Sequence, residues 1–248
     1  MLEIRLNSII YRGKNARQAY DTLYDNENIS QLESFYMWAV DKFDLSPDSK
    51  FLDVACGKGE LSHHVKSKTE HSFGEDLSPS AIKQGSFMFP DLPLYVANGQ
   101  AIPHADNTFD VIGCMGSLEH YKDMAFGVRE MARVVNPDGW VYILVPNTFS
   151  LLTNILVAYR KGRTSLDNQP IQRYAARLDW QDFLEDNGLI VKRTMKYERP
   201  FPRTWLDVKW YLYRPKDLFR LCVQPLVPLN LTFHFLFTCQ KTTHRSTN

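Results

Sequence analysis

Hydrophobic residues divide most of the chain into short apolar runs that alternate with amphipathic stretches. Apolar runs of this length are typical of buried strands, and apolar residues three or four positions apart indicate helices. The pattern predicts strands at 51–55, 72–76, 94–97, 109–115 and 140–145, and helices at 60–66, 78–86 and 124–135. Because buried strands alternate with helices, we expect a doubly wound α/β fold with a mostly parallel sheet and helices on both faces.

The two ends of the chain have less regular patterns. Helical spacing over 16–43 predicts two helices, which form an N-terminal helical cap at 16–45. After 50–147, the part of the chain at 148–248 contains predicted helices at 151–160 and 174–187, with Gly188 ending the second. Strands at 189–197 and 231–240 bring the sheet to seven strands. Five prolines in 199–229 indicate an insertion of short elements.

Length and composition limit the class of protein. The 248 residues are 44% hydrophobic, which is enough for one domain, 1–248, with a substantial core. The 29 Lys and Arg almost balance the 28 Asp and Glu, so a nucleic-acid-binding surface is not expected. There is no signal peptide pattern and no window of 18 apolar residues, so we expect a cytoplasmic protein. The four cysteines form no C-x-x-C pair, and no metal site is expected.

Two glycines follow the first buried strand. Gly57 and Gly59 lie at a strand-to-helix turn, where the backbone can approach a ligand closely. Glycines there can also serve tight turning alone, so this turn is weak evidence for a nucleotide. Asp76 ends the next strand, where an acidic side chain could accept both hydroxyls of a ribose. The alternative is a helix cap, and Ser78 suits that role well enough to leave Asp76 for the ligand.

The charge near this turn indicates a cationic ligand. Dinucleotide pyrophosphates are bound by a third glycine and an electropositive helix start, yet Ser62 occupies the third glycine position. Glu60 in the first helical turn would repel a pyrophosphate but would tolerate a cation. S-adenosylmethionine carries a sulfonium and an ammonium and has no phosphate, so the charge favours it over a nicotinamide dinucleotide.

The chain resembles the class I S-adenosylmethionine-dependent methyltransferases, in the branch that acts on small molecules and quinones. Five motifs in register over 50–147 carry the resemblance: LDVACGKG at 52–59, GEDLSP at 74–79, ANGQAIPHADNTFD at 97–110, LEH at 118–120 and EMARVVNPDG at 130–139. The resemblance implies a Rossmann-like sheet whose last strand is antiparallel, and S-adenosyl-L-methionine as the cofactor. It makes 50–147 the cofactor-binding half and 148–248 the substrate-side half. It places Asp53 near the methionine ammonium, Ala55, Gly57 and Gly59 at the floor of the site, and Asp76 on the ribose.

The same resemblance assigns the adenine and the sulfonium. Leu77 flanks the adenine, and Asn98 stands where the family usually has an Asp that accepts a hydrogen bond from the adenine amino group. An Asn carbonyl can also accept it. Gly99 and Gln100 follow, with Gln100 either assisting or capping a helix. The resemblance also places Met115 close to the sulfonium.

His120 is the candidate catalytic base. It follows the fourth strand at the cofactor edge, and an ordinary imidazole pKa of about 6.5 allows a neutral ring to remove a hydroxyl proton. The alternative is a structural histidine, because the LEH motif accompanies many substrates in the family. Methyl transfer needs a base only when the acceptor loses a proton; positioning and exclusion of water supply the rest.

The substrate side carries less specific signals. The candidate acceptor contacts are tyrosines of the N-terminal helices, Tyr159, Arg163 and the run 169–174. The segment 199–220 has six basic and two acidic residues among six aromatics. It suits a lid, a peripheral membrane contact, a homodimer interface or an ordinary solvated face. The expected function is O-methylation of a small metabolite or sugar-like acceptor. The alternatives are a quinone or lipid methyltransferase at the membrane surface and a non-catalytic S-adenosylmethionine-binding protein.

Overall fold

The computed structural model describes residues 1–5, 16–26, 29–165 and 169–242. Its strands are β1 (Leu2–Arg5), β2 (Phe51–Val54), β3 (Ser72–Asp76), β4 (Leu94–Val96), β5 (Phe109–Met115), β6 (Val135–Pro146), β7 (Ile171–Tyr174), β8 (Leu189–Tyr197) and β9 (His234–Lys241). Its α-helices are α1 (Ala16–Asn26), α2 (Glu33–Val40), α3 (Glu60–Val65), α4 (Pro79–Met88), α5 (Met124–Val134), α6 (Leu156–Lys161), α7 (Arg177–Asp186), α8 (Trp205–Leu212) and α9 (Pro215–Val223).

Seven strands form the main sheet in the order β4-β3-β2-β5-β6-β9-β8. The four pairings among β2 to β6 are parallel, and β9 is antiparallel to both β6 and β8. Six strands therefore run one way and β9 runs the other, as the sequence predicts. The fold class, a mostly parallel Rossmann-like sheet with an antiparallel last strand, is confirmed.

The sheet carries a hydrophobic core on each face. Along β2, the side chain of Phe51 packs with α2 and α3 residues, while Leu52 and Val54 pack on the other face. This division follows from the alternation of side chains along a strand. Trp180 of α7 is completely buried in the core that contains Leu52 and Val54, where its indole N–H donates to the carbonyl of Pro146 at 2.9 Å. Covering both faces leaves the strand ends as the accessible edges of the sheet.

The helix predicted at 174–187 begins later than the sequence analysis indicates. Residues Ile171–Tyr174 form β7, which pairs antiparallel with β1 in a separate two-stranded sheet. The helix starts at Arg177 and ends before Gly188, whose φ of +96° suits a glycine just past a helix. The predicted strand at 231–240 also starts later, at His234, because 229–231 forms a 3-10 turn.

The insertion after β8 folds into short helices, as predicted. The helices α8 and α9 and a 3-10 turn at Gln224–Leu226 occupy it. Its attachment to the N-terminal helices is polar: the carboxylate of Asp207, which is buried, accepts from the backbone N–H of Ser34 at 2.8 Å and from its hydroxyl. Across the ranges that the structure describes, no helix is long and apolar enough to cross a membrane.

The carboxyl ends of β2, β3, β5, β6 and β8 lie at one edge of the sheet, because these strands are parallel. The last residues of β6 and β8, Pro146 and Tyr197, both pair with His234, so these two strands end side by side at this edge. Ligands of doubly wound sheets bind at this edge, where the strand order reverses.

Candidate active site

A cavity of about 200 Å³ lies at the carboxyl edge of the sheet. The sequence motifs supply much of its lining. Ten of the predicted site residues line it: Asp53, Ala55, Gly57, Asp76, Leu77, Asn98, Gly99, Gln100, Met115 and His120. Gly59 does not; it is the N-cap of α3, and a Cβ there would lie 2.9 Å from a methyl group of Leu94. The structure therefore brings together all but one of the residues that the motifs indicate.

The turn between β2 and α3 has an unusual backbone. Ala55, Gly57 and Gly59 have φ values of +59°, +58° and +81°, in the left-handed region. Glycine adopts this conformation at little cost, whereas Ala55 does not. A Cβ on Gly57 would lie 2.7 Å from the hydroxyl oxygen of Tyr24, so α1 covers the turn closely. The alternating left-handed residues bring the backbone into the cavity.

Asp76 holds the turn in place. One carboxylate oxygen accepts from the backbone N–H of Gly57 at 2.9 Å, and the other accepts from the N–H of Ser78 at 2.8 Å. Each oxygen has a further lone pair, so a ribose diol could still bind. Ser78 caps α4, since its hydroxyl accepts from the N–H of Ala81 at 3.2 Å. This arrangement agrees with the division of roles between Asp76 and Ser78 that the sequence favours, and the ribose contact stays a prediction.

Asp53 lies at the end of β2 and is almost fully buried. Its carboxylate accepts from the hydroxyl of Ser62 at 3.0 Å, so the residue in the third glycine position orients this acid. Burial, together with the charges of Asp76 and Glu60, raises the pKa of Asp53 to about 8, against the lowering effect of Ser62. Burial also raises the pKa of Asp76 to about 6. These raised pKa values indicate that the charged forms of the two carboxyl groups are unfavourable unless a cation binds beside them.

The cavity lining fits S-adenosylmethionine by charge. Asp53, Asp76 and Glu60 all contribute to it, and a ligand with an ammonium and a sulfonium would offset their mutual repulsion. Among the described residues, no group of three or more His, Cys, Asp or Glu side chains could hold a metal ion. The three carboxylates of the lining are what favour a cationic organic ligand.

The predicted adenine side is more occupied than the motif suggests. The side-chain carbonyl of Asn98 accepts from the backbone N–H of Gln100 at 3.0 Å and from its side-chain amide at 3.1 Å. Both lone pairs of that oxygen are then used. The side-chain carbonyl of Gln100 in turn accepts from the backbone N–H of Asp123, just before α5, at 2.7 Å. The adenine roles of Asn98 and Gln100 thus stay predictions, and binding would have to replace one of these bonds.

Gly99 has a packing role that the motif does not show. A Cβ on Gly99 would lie 2.2 Å from the hydroxyl oxygen of Tyr121, and one on Gly127 would lie 2.6 Å from its ring. The ring of Tyr121 therefore fits between two glycines, beside the cavity that it helps to line. The sequence alone does not show this packing, because Tyr121 lies 22 residues after Gly99 and six residues before Gly127.

The third and fifth motifs are held together by Glu130 and Arg133 of α5, which sequence reasoning did not identify as site residues. The carboxylate of Glu130 accepts from the N–H of Ile102 at 2.8 Å. Arg133 donates to the carbonyls of Ile102 and His104 at 2.9 and 2.7 Å and to Asp106 at 2.9 Å. The two side chains also bind each other. The sequence feature that could have identified them is an acidic and a basic residue three positions apart on a predicted helix.

His120 lines the cavity from the 3-10 turn at Leu118–His120. Its Nδ1 lies 2.5 Å from the carbonyl oxygen of Ile171. Because a carbonyl can only accept, Nδ1 must carry the proton, and Nε2 of the neutral ring keeps its lone pair. Nε2 lies 3.8 Å from a carboxylate oxygen of Glu119, which is buried. This tautomer leaves Nε2 able to accept a proton, and the Glu119 carboxylate could pair with the imidazolium that would result, while the catalytic role itself stays a prediction.

Arg173 of β7 was a candidate acceptor contact, but the structure gives its guanidinium other partners. It donates to the backbone carbonyls of Glu119 at 3.2 Å and Lys122 at 3.3 Å, and to that of Tyr121. Its Nε also donates to the carboxylate of Glu3 at 2.7 Å. Arg173 therefore fixes the turn that carries His120. Of the run 169–174, Gln169 lines the cavity, whereas the other candidates Tyr159 and Arg163 lie outside it.

Aromatic rings line the side of the cavity formed by the N-terminal helices. Tyr20 and Tyr24 come from α1, and Phe35 and Tyr36 from α2. The tyrosines were predicted as acceptor contacts, and the structure places them in the same cavity as the cofactor motifs. The helix α1 is held there by Asp21, whose carboxylate accepts from the hydroxyl of Ser78 at 2.6 Å.

Comparison with known proteins agrees with this geometry. Residues 52–143 match the family model of the methyltransferase domain. The chain is 36% identical over 98 residues to a demethylmenaquinone methyltransferase of Corynebacterium urealyticum, which covers 40% of this chain and 42% of that protein. It is 38% identical over 104 residues to a ubiquinone biosynthesis O-methyltransferase of Thiobacillus denitrificans, covering 40% and 44%. The matches thus span less than half the length of either relative.

A solved structure extends the likeness to the fold. The S-adenosylmethionine-dependent methyltransferase from Mesorhizobium loti superposes with a TM-score of 0.60 at 13% identity, over 83% of this chain and 98% of that one. At this identity the likeness concerns the fold alone. The family match, the five motifs and the cavity that they line have the same location in the chain, and S-adenosylmethionine is the cofactor of that family. The chain therefore contains a class I S-adenosylmethionine-dependent methyltransferase domain.

Proposed function

We propose that the protein transfers a methyl group from S-adenosylmethionine to a phenolic oxygen of a flat aromatic acceptor of the quinol class, with His120 as the base. The observation that carries the proposal is the placement of His120, whose unprotonated Nε2 belongs to a ring that lines the same cavity as Asp53 and Asp76. Sugar-like acceptors, the first expectation from the sequence, receive no support from the two relatives, whose names refer to quinones.

The proposed chemistry needs few groups from the protein. Bound S-adenosylmethionine supplies an activated methyl group, and the acceptor oxygen must approach it in line. His120 Nε2 removes the phenolic proton, and the resulting imidazolium lies beside the Glu119 carboxylate, 3.8 Å away. Arg173 keeps the His120 turn in position through its bonds to the backbone carbonyls of Glu119 and Lys122. The remaining acceleration comes from orientation within the cavity and from exclusion of water.

The character of the cavity supports an aromatic acceptor. Rings of Tyr20, Tyr24, Phe35 and Tyr36 line it opposite the strand ends. Flat apolar molecules are bound well by such rings, which offer large apolar area and favourable stacking geometry. A hydroxyl-rich sugar would instead require many fixed polar partners, since its buried hydroxyls must be hydrogen-bonded.

Cofactor binding is tested first, by isothermal titration of the protein with S-adenosylmethionine. We expect binding, and we expect Asp76→Asn to weaken it by about ten- to a hundredfold, because it removes a charge-assisted acceptor. Asp91→Asn, an exposed acid outside the cavity, serves as the control and should bind normally. Absence of binding to the unaltered protein would remove the enzymatic proposal.

Methyl transfer is tested with a short-chain, water-soluble menaquinol analogue that carries a free phenolic hydroxyl, by measuring S-adenosylhomocysteine and the methylated product. His120→Asn should lower kcat by about a hundredfold or more without changing cofactor affinity. His63→Asn is the control, because His63 stacks on Phe89 outside the cavity, with ring centres 4.3 Å apart. Full activity of His120→Asn would exclude it as the base, and a carbon-methylated product would reassign the acceptor atom.

A further inference from the structure

Two segments outside the cavity expose apolar and aromatic side chains together with basic ones. The first follows β6 and includes a π-helical turn, Leu151–Ile155, and α6; the second contains α8 and α9. We define these segments, 149–163 and 203–226, as the basic apolar surface. We propose that this surface binds the headgroup region of an anionic lipid bilayer, so that the edge of the sheet with the cavity faces the membrane. The proposal does not depend on methyl transfer.

The helix α8 shows the pattern most clearly. Its buried side chains are Asp207 and Tyr211. The opposite face carries Trp205, which is 71% exposed, and Leu206, which is 73% exposed, together with the exposed Lys209, Leu212 and Tyr213. Helical spacing places these five residues on one side, because they stand at positions one, two, five, eight and nine. Phe219 and Leu226 add exposed apolar area after α8.

The segment 149–163 repeats this composition. Leu151, Ile155, Leu156 and Tyr159 are exposed, with Tyr159 at 87%, and helical spacing groups them on one side. Within the π-helical turn and α6, Asn154 is the buried side chain. Three basic residues follow at 160, 161 and 163, and the segment has no acidic residue.

The charges of the second segment are sorted between the interior and the surface. Its two acids are turned inward: Asp207 binds Ser34, and Asp217 pairs with Arg199 at 3.1 Å. The exposed charged side chains on α8, on α9 and between these helices are basic: Lys209, Arg214 and Lys216. A surface of this kind complements anionic lipid headgroups, while Trp and Tyr suit the interface between headgroups and acyl chains.

The two segments leave the same edge of the sheet. The last residue of β6, Pro146, and the last residue of β8, Tyr197, both pair with His234. The chain next to the two segments is held together by Asn147, which precedes the first segment. Its side-chain amide donates to the carbonyls of Asn230 and Thr232, which follow the second segment, at 2.9 and 2.8 Å. This edge also holds the cavity, so a bilayer bound by both segments would lie near the cavity.

A lipid surface fits better than a second copy of the chain. In a two-fold symmetric dimer, each surface meets its own copy. The outward Lys209, Arg214 and Lys216 would then face like charges, with Asp207 and Asp217 turned inward and engaged. A bilayer that contains anionic lipid supplies the opposite charge.

The test is co-sedimentation of the protein with vesicles of phosphatidylcholine and phosphatidylglycerol in equal amounts, compared with vesicles of phosphatidylcholine alone. We expect binding to the anionic vesicles, weakened by salt because surface charges are screened. A surface variant carries four substitutions: Trp205→Ser, Leu212→Ser, Lys209→Gln and Lys216→Gln. It should bind at least about tenfold more weakly, since two basic residues and two apolar side chains are lost.

A matched control variant carries the same types of substitution at the opposite edge of the sheet, where α3 and α4 end. Its substitutions are Phe87→Ser, Met88→Ser, Lys68→Gln and Lys83→Gln, and its Phe87 is 89% exposed. It should bind the vesicles normally. Circular dichroism and cofactor titration establish that both variants are folded.

Three results would overturn the inference: no binding of the unaltered protein to anionic vesicles, equal loss in both variants, or a dimer that only the surface variant dissociates.

Discussion

At the scale of single residues, the turn after β2 stores backbone strain at one non-glycine position. Ala55 has a φ of +59°, and of the described non-glycine residues only Asn107 also has a positive φ. A left-handed alanine costs about 1 kcal/mol. Since Ala55 lines the cavity directly after Val54 of β2, the strain directs the following backbone toward the ligand site.

Replacements at Ala55 should separate strain from bulk. Ala55→Gly should change the free energy of unfolding by less than about 1 kcal/mol, because relief of strain is offset by a more flexible unfolded chain. Ala55→Val should lower it by about 2 kcal/mol or more, since a β-branched side chain tolerates a positive φ poorly. Urea denaturation measures both. Ala97→Val, which adds the same bulk to the cavity at an ordinary φ, is the comparison, and an equal loss there would contradict the strain argument.

Asp53 gives the cofactor affinity a predictable pH dependence. Its pKa of about 8 in the free protein means that the carboxyl is mostly protonated at pH about 6, so a cationic ligand must displace a proton. The Kd for S-adenosylmethionine should therefore fall by up to about tenfold per pH unit as the pH rises from about 6 to about 8. Titration calorimetry at several pH values provides the measurement.

Two comparisons isolate the contribution of Asp53 to that trend. 5′-Methylthioadenosine lacks both positive charges, and its Kd should vary little over the same range. Asp53→Asn cannot ionise, so it should bind S-adenosylmethionine weakly and with a flatter pH profile. A profile for Asp53→Asn as steep as that of the unaltered protein would assign the dependence to another group.

At the scale of elements, β7 positions the proposed base from a different part of the chain. Its Arg173 donates to the carbonyls of Glu119 and Lys122, and the Ile171 carbonyl accepts from His120. One short strand thus holds both the backbone of the 118–122 turn and the imidazole. The sheet ends that carry Asp53 and Asp76 do not depend on it.

Loss of the hydrogen bonds that Arg173 donates to the 118–122 turn should therefore affect turnover more than cofactor binding. Arg173→Met keeps the apolar stem but removes the donors, and we expect kcat to fall by about tenfold or more, because small displacements of a base are costly. The Kd for S-adenosylmethionine should change by less than about twofold. Arg129→Met, at an exposed arginine that binds Asn187 at 2.8 Å, is the control. Equal losses in kcat and in cofactor affinity would indicate a general structural defect instead.

The elements also show which parts of the fold the sequence can predict. The β2 turn and α3 are predictable because the apolar run at 51–55, Gly57 and Gly59 are contiguous. The strand β7 is not, because its partner β1 lies about 170 positions away and its four residues, IQRY, do not alternate between apolar and polar. The roles of Arg173 and Tyr121 depend on such distant contacts, whereas the Asp76 and Ser78 roles are local.

At the scale of the whole molecule, charges of opposite sign occupy different regions. The carboxylates of Asp53, Asp76 and Glu60 gather at the cavity, while basic side chains occupy the basic apolar surface. A net charge of +1 conceals this separation. The buried acids also make the stability of the fold depend on pH, because a carboxyl whose pKa is raised by folding favours the native state only while it is protonated.

Glu75 of β3 allows this dependence to be measured. It is completely buried, and neither carboxyl oxygen has a hydrogen-bond partner among the described residues. Burial and the charges of Asp76 and Glu130 raise its pKa to about 8. Its contribution to stability is therefore fully present below its unfolded pKa of about 4.3 and is lost as the pH rises through about 8. Glu75→Gln has no such loss, so its advantage in unfolding free energy should grow between those pH values.

Urea denaturation of both proteins from pH about 5 to about 9 checks this expectation. The contributions of groups distant from Glu75 cancel in the difference, whereas those of Asp76 and Asp53, whose charges act on Glu75, add to it. Glu70→Gln removes the same charge at an exposed site 3.7 Å from Lys66, where ion pairs contribute little, so its difference from the unaltered protein should stay within about 1 kcal/mol at every pH. If Glu75→Gln behaved in the same way, the carboxylate of Glu75 would have to be stabilised in the folded protein, and burial could not be the cause that raises its pKa.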